Sequence, residues 1–136
     1  MEFEIKDENE LDQITKDFIN KLQGNEIIML QGEMGVGKST FTRYFLKNLG
    51  YNGLVTSPTY QIIKSYELDG YRLHHIDAYR ITIDSLEEIL YEFSEGDIIV
   101  CEWPENVAFF EDYKSEKYLI KMTCDNYFRK IKIEKY

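Results

Sequence analysis

Phe3 and Ile5 alternate with charged residues, which predicts a short edge strand. Leu11, Ile14, Phe18 and Leu22 then recur at helical spacing, with Asp7 or Asn9 able to cap the helix and Gly24 to end it. Residues 26–30 run apolar through Ile27, Ile28, Met29 and Leu30, the pattern of a buried strand. Phe41, Tyr44, Phe45 and Leu49 mark a second helix, stopped by Gly50. Residues 61–68 alternate, Asp69-Gly70 signals a hairpin turn, and residues 71–76 return as the partner strand, ending at Asp77. Asp84-Ser85 can start a third helix with Leu86, Ile89, Leu90 and Phe93 inward, ended by Gly96. Residues 97–101 form a second buried run that stops at Glu102. Residues 118–122 and 128–133, joined across Asp125-Asn126, predict a closing hairpin. The sum is an α/β fold over residues 1–136, read as a single domain with a mixed sheet. The two apolar runs suit central parallel strands, and the hairpins suit antiparallel additions.

Between the first apolar run and the second helix stands Gly32-Glu33-Met34-Gly35-Val36-Gly37-Lys38-Ser39. This is G-x-x-x-x-G-K-[ST], the Walker A phosphate loop, in the strand–turn–helix context it requires. The glycines let consecutive backbone N–H groups turn toward phosphate oxygens, Lys38 adds positive charge, and Ser39 offers a hydroxyl to Mg²⁺. The helix N-terminus adds its own partial positive charge. Gly35, Val36, Gly37, Lys38, Ser39 and Thr40 are therefore expected to bind the phosphates, and the fold is expected to be P-loop NTPase-like.

A Mg²⁺–nucleotide site also needs a carboxylate at the end of a neighbouring strand. Glu102 and Asp77 both end apolar strands, where ligands of open α/β sheets sit. Glu33, inside the loop, is expected to face solvent or a neighbouring loop and not the γ-phosphate. Adjacent His74 and His75 should point to opposite faces of their strand, one to the core or site and one to solvent, and do not form a metal pair. Trp103 follows Glu102 directly, a position suited to gating or to contact with a partner. Ser57-Pro58-Thr59 occupies the place where nucleotide hydrolases often carry a loop that senses the γ-phosphate.

The net charge of −9 disfavours independent binding to a nucleic-acid backbone. Lys114, Lys117, Lys121, Arg129, Lys130, Lys132 and Lys135 gather late in the chain, as expected of alternating solvent-facing strand positions. Cys101 reads as a small core residue, and Cys101 and Cys124 are too far apart for a CxxC unit. No apolar stretch approaches a membrane span and the N-terminus is acidic, so a cytoplasmic protein is expected.

Ser57-Pro58-Thr59-Tyr60, His75-Ile76-Asp77-Ala78-Tyr79-Arg80 and Cys101-Glu102-Trp103-Pro104-Glu105 follow the phosphate loop in order. Together these segments resemble the TsaE (YjeE) family of bacterial P-loop ATPases, over about residues 7–129. The resemblance implies an ATPase that supports N6-threonylcarbamoyladenosine formation on tRNA by binding and resetting a TsaB–TsaD-type complex, with tRNA reached only indirectly. It implies that Lys38 binds phosphate, that Ser39 and Glu102 hold Mg²⁺, and that Asp77 joins the same metal and water network. Ser57, Pro58, Thr59 and Trp103 match switch or partner positions, and ATP contacts fall around Glu8 and Arg129. The family loop usually reads G-D-L-G-A-G-K-T, so Glu33, Met34, Val36 and Ser39 depart from it, and a Gly often found after HxDxYR is absent around residues 88–93.

Rival classes are a small-molecule kinase, a GTPase and a nucleotide-dependent binding module. An Arg-rich lid and an N-K-x-D base-reading motif are not found in the chain.

Overall fold

A computed structural model describes residues 1–56, 58, 62–82, 89, 91–107, 115–125 and 128–135. The elements are β1 (Glu2–Ile5), α1 (Glu10–Ile19), β2 (Ile27–Gln31), α2 (Lys38–Asn48), β3 (Ile63–Glu67), β4 (Arg72–Asp77), β5 (Ile98–Glu102), β6 (Lys117–Cys124) and β7 (Arg129–Lys135). A 3₁₀ turn at Pro104–Asn106 follows β5. Among the described residues the strands form one seven-stranded sheet in the order β1-β7-β6-β2-β5-β4-β3.

The two apolar runs pair with each other, in parallel, from Ile27 opposite Ile99 to Leu30 opposite Glu102. Every residue of β5 is buried, and so are four of the five in β2, because both faces of the sheet are covered there. Strand parity divides the core. Ile28, Leu30 and Val100 face α1 and α2, while Ile27, Met29, Ile99 and Cys101 face the opposite side with Val107 and Ile89. Phe18 of α1 meets Tyr118 edge-on at 5.0 Å, and Phe41 stacks on Phe45 one turn along α2 at 6.0 Å.

The hairpins differ from the expected antiparallel additions in one respect. Each is antiparallel within itself, but β4 runs parallel to β5 and β6 runs parallel to β2. Each hairpin therefore gives one strand to the central parallel block and one antiparallel strand outside it. On β7 the alternation is as expected: Lys130 and Lys132 are exposed, while Ile131 and Ile133 are buried.

Gly50 ends α2 at φ +105°, with its N–H on the Lys47 carbonyl and that of Tyr51 on the Leu46 carbonyl, a Schellman arrangement. The start of α1 departs from expectation. Asn9 holds the cap position without a side-chain cap bond: its Oδ1 accepts the Tyr44 hydroxyl at 3.1 Å, and its N–H donates to Asp7 Oδ1 at 3.0 Å. The helix also stops at Ile19, well before Gly24. Asp84, Ser85, Leu86, Leu90 and Gln61 lie outside the described residues.

Candidate functional site

The phosphate loop leaves β2 beside β5, which ends at Glu102, with β4 and its Asp77 one strand further out. A side chain at Gly32 would force its neighbours to shift: a Cβ there would lie 2.7 Å from the Met122 carbonyl oxygen and 2.8 Å from Val36 Cγ1. Gly37 enters α2 at φ +111°, a conformation that a side chain would strain. Val36 turns its side chain into the core and its N–H to the Glu33 carbonyl at 3.3 Å. Any part it plays in binding belongs to its main chain. Glu33 and Met34 are exposed, as is Ser39 in the first turn of α2, while Thr40 is half-buried.

Lys38 is only 6% exposed. Its ammonium donates to the Gly32 carbonyl at 2.5 Å and lies 4.4 Å from the centre of the Trp103 ring. An aromatic face and a carbonyl thus hold the charge at the mouth of the loop. Trp103 adopts φ +58° and packs against Tyr79 at 5.0 Å between ring centres.

Asp77 and Glu102 are direct partners across β4 and β5, so both carboxylates leave the same end of the same face. Glu102 is buried, with Oε2 2.7 Å from His75 Nε2. Asp77 is half-buried, and its Oδ1 accepts the Tyr79 N–H at 3.1 Å. Behind them, burial pushes the Cys101 thiol well above its ordinary range, helped by the charges of Glu102, Asp77 and Glu105.

One cleft of about 370 Å³ collects these groups. Gly35, Gly37, Lys38, Ser39 and Thr40 line it together with Asp77, Glu102, Trp103, Glu8, Met34 and Arg129, whose guanidinium lies against Gly37. Past Glu8 and Arg129 a second hollow of about 410 Å³ continues between Ile5–Asp7 and Asp125, Phe128. Val36 does not line the cleft, nor does Pro58, which is buried; Ser57 and Thr59 lie outside the described residues. Thr56, just before them, is anchored by the Tyr66 hydroxyl on its carbonyl and by the Lys64 ammonium on its hydroxyl.

The matched span of the chain is residues 5–131, and the matching family is described as "Threonylcarbamoyl adenosine biosynthesis protein TsaE". The chain belongs to the TsaE family. A Streptomyces coelicolor relative named tRNA threonylcarbamoyladenosine biosynthesis protein TsaE is 42% identical over 89 residues, 62% of this chain and 60% of that one. A Borreliella burgdorferi protein of the same name is 36% identical over 113 residues, 77% of this chain and 79% of its own. The alignment thus spans less than two thirds of the Streptomyces protein's length and more than two thirds of the Borreliella one's. The crystal structure of Bacillus subtilis YdiB matches with a TM-score of 0.70 at 27% identity, covering 96% of this chain and 82% of that one.

In this TsaE-family chain the donor set suits a hard cation. A hydroxyl at Ser39 and carboxylates at Asp77 and Glu102 face a cleft that also holds a lysine and a helix N-terminus. Mg²⁺ typically takes one or two carboxylates together with substrate phosphates and water, and does not need a cage built wholly by protein.

The sequence missed the environment of the two histidines. Both are buried, and neither faces solvent, because both faces of β4 are covered. His74 bonds Ser65 Oγ and Asp97 Oδ2, each at 2.7 Å, on the face away from the cleft. His75 lies on the cleft face and reaches Glu102. The one legible signal was its spacing of two from Asp77, which puts both on one side of a strand.

Proposed function

We propose that the chain is a Mg²⁺-dependent ATPase serving tRNA threonylcarbamoyladenosine biosynthesis, and that its hydrolysis resets a TsaB–TsaD-type partner complex. The observation that carries this is the convergence of Lys38, Ser39, Asp77 and Glu102 in one cleft at the ends of β2, β4 and β5. Membership of the TsaE family supplies the pathway.

On this reading the loop amides and the start of α2 receive the phosphate oxygens, and Lys38 adds its charge to them. Ser39 and Glu102 hold Mg²⁺, which when bound supplies charge that offsets the negative charge of the phosphates. Asp77 orients the attacking water. The water oxygen bonds to the γ-phosphorus, the bond from that phosphorus to the bridging oxygen breaks, and ADP leaves with the electron pair, while the protons of the water pass to the released phosphate and to solvent. Glu8 and Arg129, shared between the cleft and the second hollow, add contacts to ATP, with Arg129 beside Gly37 of the loop. Trp103 and residues 57–59 serve switching or partner contact. With a net charge of −9 the chain meets tRNA through its partners and not directly. A cytoplasmic location goes with that role; among the described residues no helix is long and apolar enough to cross a membrane.

The test is phosphate release from Mg-ATP by the whole chain, with and without the partner proteins. Lys38→Ala and Glu102→Ala are each expected to slow it about 10²- to 10³-fold. Undiminished hydrolysis by either variant with partners present would refute the assignment.

A further inference from the structure

His75 and His74 are neighbours in sequence and opposites in chemistry. His74 has both ring nitrogens bonded, to Ser65 and to Asp97, as a structural histidine does. His75 has one bonded: Nε2 lies 2.7 Å from Glu102 Oε2, while Nδ1 is buried and without a partner among the described residues. The ring is 1% exposed, and its neighbours on that face of the sheet include Leu73 and Val100. An aliphatic residue there would leave no orphaned nitrogen. Leaving a buried polar atom unpaired is costly, so the histidine needs a reason beyond packing.

The tautomer is assigned from the contact: a carboxylate at Glu102 accepts, which puts the hydrogen on Nε2 and leaves Nδ1 its lone pair. The other tautomer would aim a lone pair at a carboxylate and bury an N–H with nothing to receive it. With Oε2 taken, Oε1 is the oxygen that Glu102 has left for the cleft.

We propose that His75 is a positioning residue that clamps the Glu102 carboxylate through Nε2–H, so that the carboxylate presents a single oxygen, Oε1, to the cleft. The proposal rests on Glu102 acting in that cleft, and it deepens that assignment by naming the group that aims it. A ligand carboxylate freed from such a partner commonly loses about 10- to 100-fold in metal affinity or activity.

Two amides test it in the full chain. A glutamine places its amide nitrogen where Nε2 sits; an asparagine places its own near Nδ1, out of reach of Glu102. His75→Gln is expected to keep kcat for Mg-ATP within about threefold, while His75→Asn loses about 10- to 100-fold with KM little changed, because residue 75 does not line the phosphate loop. A folded His75→Asn with the kcat of the parent overturns the proposal. So does a His75→Gln that falls as far as His75→Asn. A second readout needs no turnover: long-range ¹H–¹⁵N spectra of the parent should show His75 as the Nε2–H tautomer, and Glu102→Ala should shift its Nε2 resonance. An Nδ1–H tautomer in the parent also overturns it. Should the parent not hydrolyse ATP, the proposed function fails, and the spectrum still decides the role of His75.

Discussion

Gly32→Ala asks whether the phosphate loop is pressed against β6 as tightly as the structure indicates. Gly32 lies outside the left-handed region, so alanine meets no backbone strain there, and the effect is purely steric. The new methyl would stand 2.7 Å from the Met122 carbonyl oxygen and 2.8 Å from Val36 Cγ1, where ordinary contact begins at 3.4 Å. The carbonyl belongs to β6, held by β7 on one side and β2 on the other, so it cannot swing aside as a side-chain tip can. Overpacking of this kind costs about 1–3 kcal/mol, and the lost flexibility of the unfolded chain returns about 0.4–1 kcal/mol of it. A net loss of about 1–2 kcal/mol, with an m-value of about 2 kcal/mol/M, lowers the urea midpoint by about 0.5–1 M. Because the Gly32 carbonyl also holds the Lys38 ammonium, binding of a fluorescent ATP analogue should weaken alongside. Val36→Ala removes one of the two obstructing atoms. The double variant should therefore be less damaged than the two singles combined, by at least about 0.5 kcal/mol. A Gly32→Ala protein as stable as its parent, or strict additivity with Val36→Ala, would refute the reasoning.

Two further predictions concern groups around the site. Cys124 is exposed, whereas Cys101 is buried with its thiol pushed up, so a thiol reagent should label one cysteine per folded chain and two after unfolding; prompt labelling of both in the folded protein would contradict the packing behind Glu102. For Asp97, burial raises the carboxyl's pKa, but the hydrogen bonds from His74 and from the Arg72 and Ser94 amides outweigh it and leave the group below its ordinary 3.8. A depressed carboxyl stabilises fully above the unfolded value and loses that contribution as pH falls through the folded one. Asp97→Asn should thus be less stable near neutrality and show a shallower decline in urea midpoint on acidification; parallel acid limbs for the two proteins would rule this out.

Local chemistry was legible from the chain alone. Gly50, Asp69-Gly70 and the two apolar runs each carry their instruction within a few residues, and the strand-end positions of Asp77 and Glu102 pointed to the cleft. What escaped was set by distant partners. Nothing near His75 reveals that β4 and β5 pair in parallel with Asp77 opposite Glu102, which is what brings its ring to the carboxylate. Nothing near His74 shows that Asp97 closes its second bond. At Asn9 the cap oxygen accepts the hydroxyl of Tyr44, 35 residues away. Arg129 reaches the loop because β7 folds back on β6, and only the resemblance to a family had suggested it.

The place of β2 in the sheet also bears on how the molecule is made. This strand precedes the phosphate loop, yet both its hydrogen-bonding neighbours, β5 and β6, come from the second half of the chain. During synthesis at about 5–20 residues per second, Ile27-Ile28-Met29-Leu30 waits several seconds with its edges unpaired. That is a sticky apolar segment, and a nascent chain exposing it is open to association with its neighbours on the same message. A polypeptide arrested before residue 117 would carry an intact Walker sequence and still lack one wall of the strand that holds it. On the proposed function, the capacity to bind nucleotide should therefore arrive late and abruptly, only once β6 has docked.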